Sequence, residues 1–315
     1  MRYINGINSL KRYCIRRSRR SMSTAEFDGE IAELYNRIAE NHRHAQGPWS
    51  LILNQIQRKC KKDGSLIIVD VASGPGEPSA TISQALPSAT VFSTDISVDM
   101  HKIASKKAVN IPNMKAMVAD AADLNAFESE SVDVVTCCYG LMFPDDKLKC
   151  LQEIRRVLKP RGLFINTHWS NLEAMHVVKK ILKSIYSKQP NLPKQHNPIN
   201  PLSLAEPSIY QELCLSAGTY TTIITFTYII IIKKGFKKEN IESVESTYPF
   251  NMGDDKDYQF KLVTLPIRNK IEEFNAMDLA RKIYDENIDN HSVLDQNTGN
   301  LMVVNNVFVM TTIIK

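Results

Sequence analysis

No run of about 18 or more consecutive apolar residues occurs in these 315 residues, so the sequence offers no membrane-spanning helix. Its six cysteines, Cys14, Cys60, Cys137, Cys138, Cys150 and Cys214, lack C-x-x-C spacing and any even framework, which reads as reduced thiols rather than a disulfide scaffold. Cys137 and Cys138 sit in an apolar run and read as small core residues. There is no H-E-x-x-H, no Cys/His quartet and no acidic cluster, so no metal is expected. Acid is also missing from the first 25 residues, which hold Arg2, Lys11, Arg12, Arg16, Arg17, Arg19 and Arg20. Without those cations the chain has 32 basic against 34 acidic residues, so its formal +5 is a property of the leader alone. A nucleic-acid partner is therefore not expected.

What is present is a globular composition, 43% hydrophobic and 23% charged. The leader, residues 1–25, is Arg-rich and Ser-containing with interspersed Tyr and Ile, the composition of a mitochondrial presequence. A disordered basic arm, or a start at Met22 in a cytoplasmic protein, is the alternative. Residues 26–64 carry helical spacing at Ile31, Leu34, Tyr35 and Ile38, a break at Gly47-Pro48, and a second short helix through Trp49, Ile52 and Ile56. This is a lid candidate, with Tyr35, His42, His44 and Trp49 supplying aromatic and titratable groups.

The chain turns on LIIVDVASGPGEPS, Leu66 to Ser79. A continuous apolar run is the pattern of a buried parallel strand, and Gly74 and Gly76 permit positive φ and close approach of a ligand. Ser79 is expected to cap the following helix. A strand, glycine loop and helix start together present amide donors to a nucleotide or nucleoside. A dinucleotide loop would need a third glycine where Ser79 stands, and a phosphate-cradling loop would need a lysine.

Downstream, extended and helical patterns alternate: 89–94 extended, 97–108 helical, 114–119 and 132–139 extended, 145–158 helical, 163–168 extended. That order implies a doubly wound, Rossmann-like α/β sheet with ligands at the carboxyl ends of its strands. Asp95 ends the second strand, where a carboxylate can accept both ribose hydroxyls. Ile96 and Met100 can form an apolar shelf for a base.

The segment D-V-A-S-G-P-G resembles the first motif of class I S-adenosylmethionine-dependent methyltransferases, with Ala72 where the family usually has glycine. Asp120-Ala121-Ala122 resembles the family's adenine-reading position, with Asp123 as an alternative acid. FESESVDVVTCCYGLMF looks like its fourth motif, and RRVLKPRGLF like the turn closing its core half, with Arg161 in place of a glycine. The motifs run in order over residues 65–170, closest to the small-molecule group that includes ubiquinone and menaquinone C-methyltransferases.

The resemblance implies a seven-stranded sheet with an antiparallel last strand inside a domain spanning 65–315. It implies S-adenosylmethionine as cofactor, held by Asp70, Ala72, Ser73, Gly74, Gly76, Asp95, Ile96, Met100, Asp120, Ala121, Cys138 and Tyr139, with Asp70 to Gly76 on its amino-acid end. The acceptor would be a small molecule, a quinone precursor if the leader is mitochondrial. Any general base would be His168 at the end of the fifth strand or His44 in the lid, with Tyr139 as a positioning hydroxyl. The proline-rich stretch SKQPNLPKQHNPINPLSLAEP would wrap a substrate mouth. A nicotinamide-dependent oxidoreductase and a methyltransferase-like assembly factor without turnover remain alternatives. Residues 219–234, TYTTIITFTYIIIIKK, are expected to be β-prone and read as a retained intron of an AT-rich gene. Excising them joins Gly218 to Gly235, giving LCLSAGGFKKENIESVE, similar to the family's passage into its sixth strand.

Overall fold

The computed structural model describes residues 29–60, 65–188, 200–224, 229–234 and 236–315, with side chains outside 219–235. The leader and the centre of the proline-rich stretch lie outside the described residues.

The chain begins with α1 (Glu30–Ala39), a short 3-10 turn, and α2 (Pro48–Lys59), whose proline sits at the start of the helix. The alternating half follows as β1 (Ile67–Val71), α3 (Ser79–Ala85), β2 (Thr90–Asp95), α4 (Val98–Ala108), β3 (Met114–Val118), β4 (Val132–Cys138), α5 (Lys147–Val157) and β5 (Leu158–Asn171). Four of the five β1 residues are buried, as a central strand covered by helices on both faces requires. The helices are anchored locally: Ser97 and Asp146 cap α4 and α5 by accepting from the Met100 and Lys149 amides. Ser79 does not cap α3. It is the first helical residue, and its hydroxyl turns back into the core to donate to Asp70.

After β5 come α6 (Met175–Ser187) and α7 (Pro207–Ser216). Residues 219–224 and 229–234 then form an antiparallel pair, β6 (Thr219–Ile224) with β7 (Ile229–Lys234). Among the described residues these two strands pair only with each other. Across the base of the hairpin the chain nearly closes: the Phe236 amide donates to the Cys214 carbonyl at 3.3 Å. That is the bond the amide of residue 218 would make if α7 continued. Phe236 is itself buried and stacks on Phe164.

The rest is β8 (Ile241–Thr247), β9 (Phe250–Asn251), α8 (Lys256–Thr264), α9 (Arg268–Glu273), α10 (Met277–Asn287), β10 (Val293–Leu294), β11 (Leu301–Val303) and β12 (Val307–Ile314). The main sheet has the order β3-β2-β1-β4-β5-β12-β8. Strands β1 to β5 are parallel, and β12 lies antiparallel between β5 and β8. This is the seven-stranded sheet with an antiparallel last strand that the motifs implied. The tail LMVVNNVFVMTTIIK holds the last two strands, β11 and β12. Asn305 takes a left-handed φ of 62°, Asn306 binds the Val303 carbonyl and the Glu173 amide, and the chain passes from the small β10-β11-β9 sheet into the main one.

Two large apolar cores result, with smaller clusters beside them. One lies between the main sheet and its flanking helices, centred on residues such as Val69, Val134 and Phe164. The other joins α6 to α8, α9 and α10 through Val178, Ile181, Phe260, Ile271 and Tyr284. The second places a helical layer beside α1, above the carboxyl end of β5.

Candidate functional site

The strand order reverses between β1 and β4, and a cavity of about 300 Å³ opens there at the carboxyl ends of β1 to β4. Its floor is the loop after β1. Ala72 enters that loop at φ 52° and Gly74 at φ 55°. The Gly74 amide donates to Asp95 Oδ2 at 2.8 Å, and the Ser97 amide to Oδ1 at 2.9 Å, so two backbone amides fix the carboxylate. Ile96, an exposed apolar residue, and buried Met100 form one wall. Ala119 to Ala122 form another, with Asp120 held by the Ala122 amide. Cys138, Tyr139 and Gly140 close the β4 side. Gly140 has no alternative: a Cβ there would lie 2.5 Å from that of Ala72.

The N-terminal helical segment is tied to the rest of the fold at several points, two of them beside the cavity. The Gly29 amide donates to Asp99 on α4, and Arg43 pairs with Glu77 at 3.2 Å. Tyr35, Ala39 and His42 lie on one face of this segment, at the i, i+4, i+7 spacing of a helical stripe, and all three line the cavity.

The electrostatics of the lining are one-sided. Glu77, Asp95, Asp120, Asp145 and Asp146 border the cavity, and among the described residues no lysine or arginine does. A pyrophosphate would be desolvated there without a counter-charge, whereas a ligand carrying a sulfonium and an ammonium meets carboxylates.

The cavity thus brings together Ala72, Ser73, Gly74, Asp95, Ile96, Met100, Asp120, Ala121, Cys138 and Tyr139. Asp70 and Gly76 are elsewhere. Asp70 is completely buried beneath the loop, accepting from Ser79 Oγ and Thr136 Oγ1 at 2.6 Å each. Burial pushes its carboxyl up to about 7, partly offset by those hydrogen bonds. Its role is to brace the strand ends. Gly76, at φ 90°, allows close packing: a Cβ would meet Ala104 and Met114 at 3.0 Å. The alternative acid Asp123 does not line the cavity.

The candidate bases are displaced too. His168 does point to a buried place, but among Asn166 and Tyr210, away from the cavity, and burial depresses it to about 4. His44 is exposed on the outer side of Tyr248. Tyr139 does line the cavity, its ring stacked on Trp169 at 4.2 Å and its hydroxyl 3.3 Å from that of Tyr248.

The histidine at the cleft is His42. Its Nδ1 lies 2.5 Å from the Tyr248 hydroxyl, and its ring packs among Trp49, Tyr139, Trp169 and Phe250. The seven-residue spacing from Tyr35 was the signal available for it. Tyr248 had none, since it lies 206 residues further along the chain. Among the described residues no group of His, Cys, Asp and Glu side chains is placed to hold a metal. Likewise, no helix there is long and apolar enough to cross a membrane.

Residues 69–166 match a family model described as methyltransferase domain. Together with the strand order and the cavity at its switch point, this makes that segment the core of a class I S-adenosylmethionine-dependent methyltransferase domain, for which S-adenosylmethionine is the cofactor. Among curated proteins, the chain is 28% identical over 177 residues to an uncharacterized protein of Methanocaldococcus jannaschii, covering 56% of this chain and 64% of that protein. It is 32% identical over 120 residues to the demethylmenaquinone methyltransferase of Staphylococcus aureus, covering 38% and 47%. Both alignments span less than two thirds of the relatives' own length. A solved structure, the YcgJ protein from Bacillus subtilis, aligns over 86% of this chain and 98% of its own, with 18% identity and a TM-score of 0.48.

Proposed function

We propose that this protein transfers a methyl group from S-adenosylmethionine to a small apolar acceptor. The observation that carries the reading is the switch-point cavity, lined by carboxylates and, among the described residues, by no lysine or arginine. In this reading Asp95 accepts the ribose hydroxyls, Ile96 and Met100 shelve the adenine, Asp120 accepts from its amino group, and the Ala72–Gly74 backbone holds the amino-acid end. S-adenosylmethionine supplies an electrophilic methyl, so the protein's contribution is to align the acceptor and exclude water. The lid residues Tyr35 and His42 and the β4 end at Tyr139 cover the place where the two would meet.

The finer reading is a reduced quinone precursor as acceptor, supported by the likeness to demethylmenaquinone methyltransferase and by the presequence-like leader. The leader in turn supports a mitochondrial location, and a reporter fused to residues 1–25 tests it; diffuse cytosolic signal ends that part of the proposal. Calorimetry with S-adenosylmethionine tests the class, and absence of binding would overturn it. Methyl-labelled cofactor incubated with a short-chain prenylated 1,4-naphthalenediol tests the acceptor. Label should pass into the organic extract, and retention in water would refute the quinol reading.

A further inference from the structure

A second cavity, about 140 Å³, adjoins the first and shares Tyr35, His42 and Phe143 with it. It lies between α1, the end of β5, the start of α6 and the α8 turn, walled by Ile38, Trp169, Met175, Phe250, Leu262 and Pro266. Among the described residues no aspartate, glutamate, lysine or arginine lines it, and the side chains with polar atoms that do are Tyr35, His42, Trp169 and Asn306. Its size matches one aromatic ring, since an apolar protein cavity of roughly 150 Å³ holds benzene.

Resting on the methyltransferase reading, we propose that this chamber is the acceptor site. Its ligand is an uncharged aromatic compound with a hydroxyl group, which it presents to His42 at the junction with the cofactor cavity. A phosphorylated amine or an amino-acid zwitterion would enter with its charges unpaired, which is the costliest kind of burial. An aromatic body instead finds ring faces and edges at Trp169 and Phe250.

His42 is the polar group best placed for the hydroxyl. Its Nδ1 is engaged by Tyr248, and among the described residues its Nε2 has no hydrogen-bond partner. With Nδ1–H donating to the Tyr248 oxygen, and that hydroxyl donating on to Tyr139, Nε2 carries a lone pair. Burial among aromatic rings holds the imidazole down at about 3, so it is neutral and able to accept throughout the physiological range. A weak base is sufficient. As the acceptor oxygen forms its bond to the methyl carbon, the carbon–sulfur pair stays on sulfur. The hydroxyl proton, now strongly acidic, passes to Nε2 and from there to solvent. His42 therefore orients the nucleophile first and takes its proton late.

The experiment uses calorimetry on the full chain with two probes of equal shape, 4-ethylphenol and 4-ethyltoluene, in the presence of S-adenosylhomocysteine. Wild type should bind the phenol about tenfold more tightly, the difference one hydrogen bond makes. His42→Phe should lose that preference while still binding the toluene, and Leu262→Trp, which fills the chamber, should bind neither. All three should hold S-adenosylhomocysteine alike. If S-adenosylhomocysteine binds but wild type takes up neither probe, or if Leu262→Trp leaves both affinities unchanged, the chamber assignment is wrong. Equal affinity of wild type for both probes overturns the part played by His42. Failure to bind S-adenosylhomocysteine would instead refute the underlying methyltransferase reading.

Discussion

Asp70 makes a quantitative prediction about stability against pH. Its carboxyl sits at about 7 in the folded protein against an ordinary 3.8, because burial disfavours the charge more than Ser79 and Thr136 favour it. The folded state therefore binds the proton more tightly than the unfolded chain, and stability falls as pH rises between those two values. Each unit is worth about 1.4 kcal/mol, so between pH 5 and 7 the loss from this one group is about 2–3 kcal/mol. In Asp70→Asn the amide keeps an acceptor and a donor for the two hydroxyls and has nothing to titrate. The melting temperatures of wild type and Asp70→Asn, followed by circular dichroism at half-unit steps without ligand, give the difference directly. At roughly 2 °C per kcal/mol for a chain of this size, that difference should move by about 5 °C in favour of the variant as pH rises from 5 to 7. A difference that stays flat with pH, or moves the other way, would refute the argument that burial governs this carboxyl.

Other consequences are as direct. Replacing Asp95 by Ala removes a charged acceptor from the ribose position and should weaken S-adenosylhomocysteine binding about 10- to 100-fold by calorimetry; unchanged affinity would remove Asp95 from the site. Arg161 is exposed and held at φ 65°, where a side chain costs about 1–2 kcal/mol, so Arg161→Gly should raise stability by up to about 1 kcal/mol after glycine's entropic penalty, as read from urea titration. Residues 219–234 are proposed to be a retained intron, and the Phe236–Cys214 bond across the hairpin's base predicts that deleting 219–234 leaves melting temperature and cofactor affinity close to wild type. Loss of folding on deletion would show that the hairpin belongs to the core, and a mature transcript still encoding Ile229 to Ile232 would end the intron reading.

The sequence by itself determined the alternating half of the sheet and the strand ends that border the switch-point cavity. Strand periodicity, the Ala72–Gly74 turn and the acids ending β2 and β3 are local features, each set by residues within a few positions of one another. A parallel sheet can only bring such strand ends to one edge. Tyr35 and His42 belonged to that legible set through their helical spacing, although His44 and His168 drew the chemical assignment instead.

Tertiary structure decided the rest. Whether Asp70 faced ligand or core depended on hydroxyls from Ser79 and Thr136, the second on a strand 66 residues away. The chamber depended on α1, β5, α6 and α8 meeting beside Tyr248. Contacts between segments more than 200 residues apart leave no period in the sequence, and burial, which sets the charge state of Asp70 and His42 alike, exists only once those segments have packed.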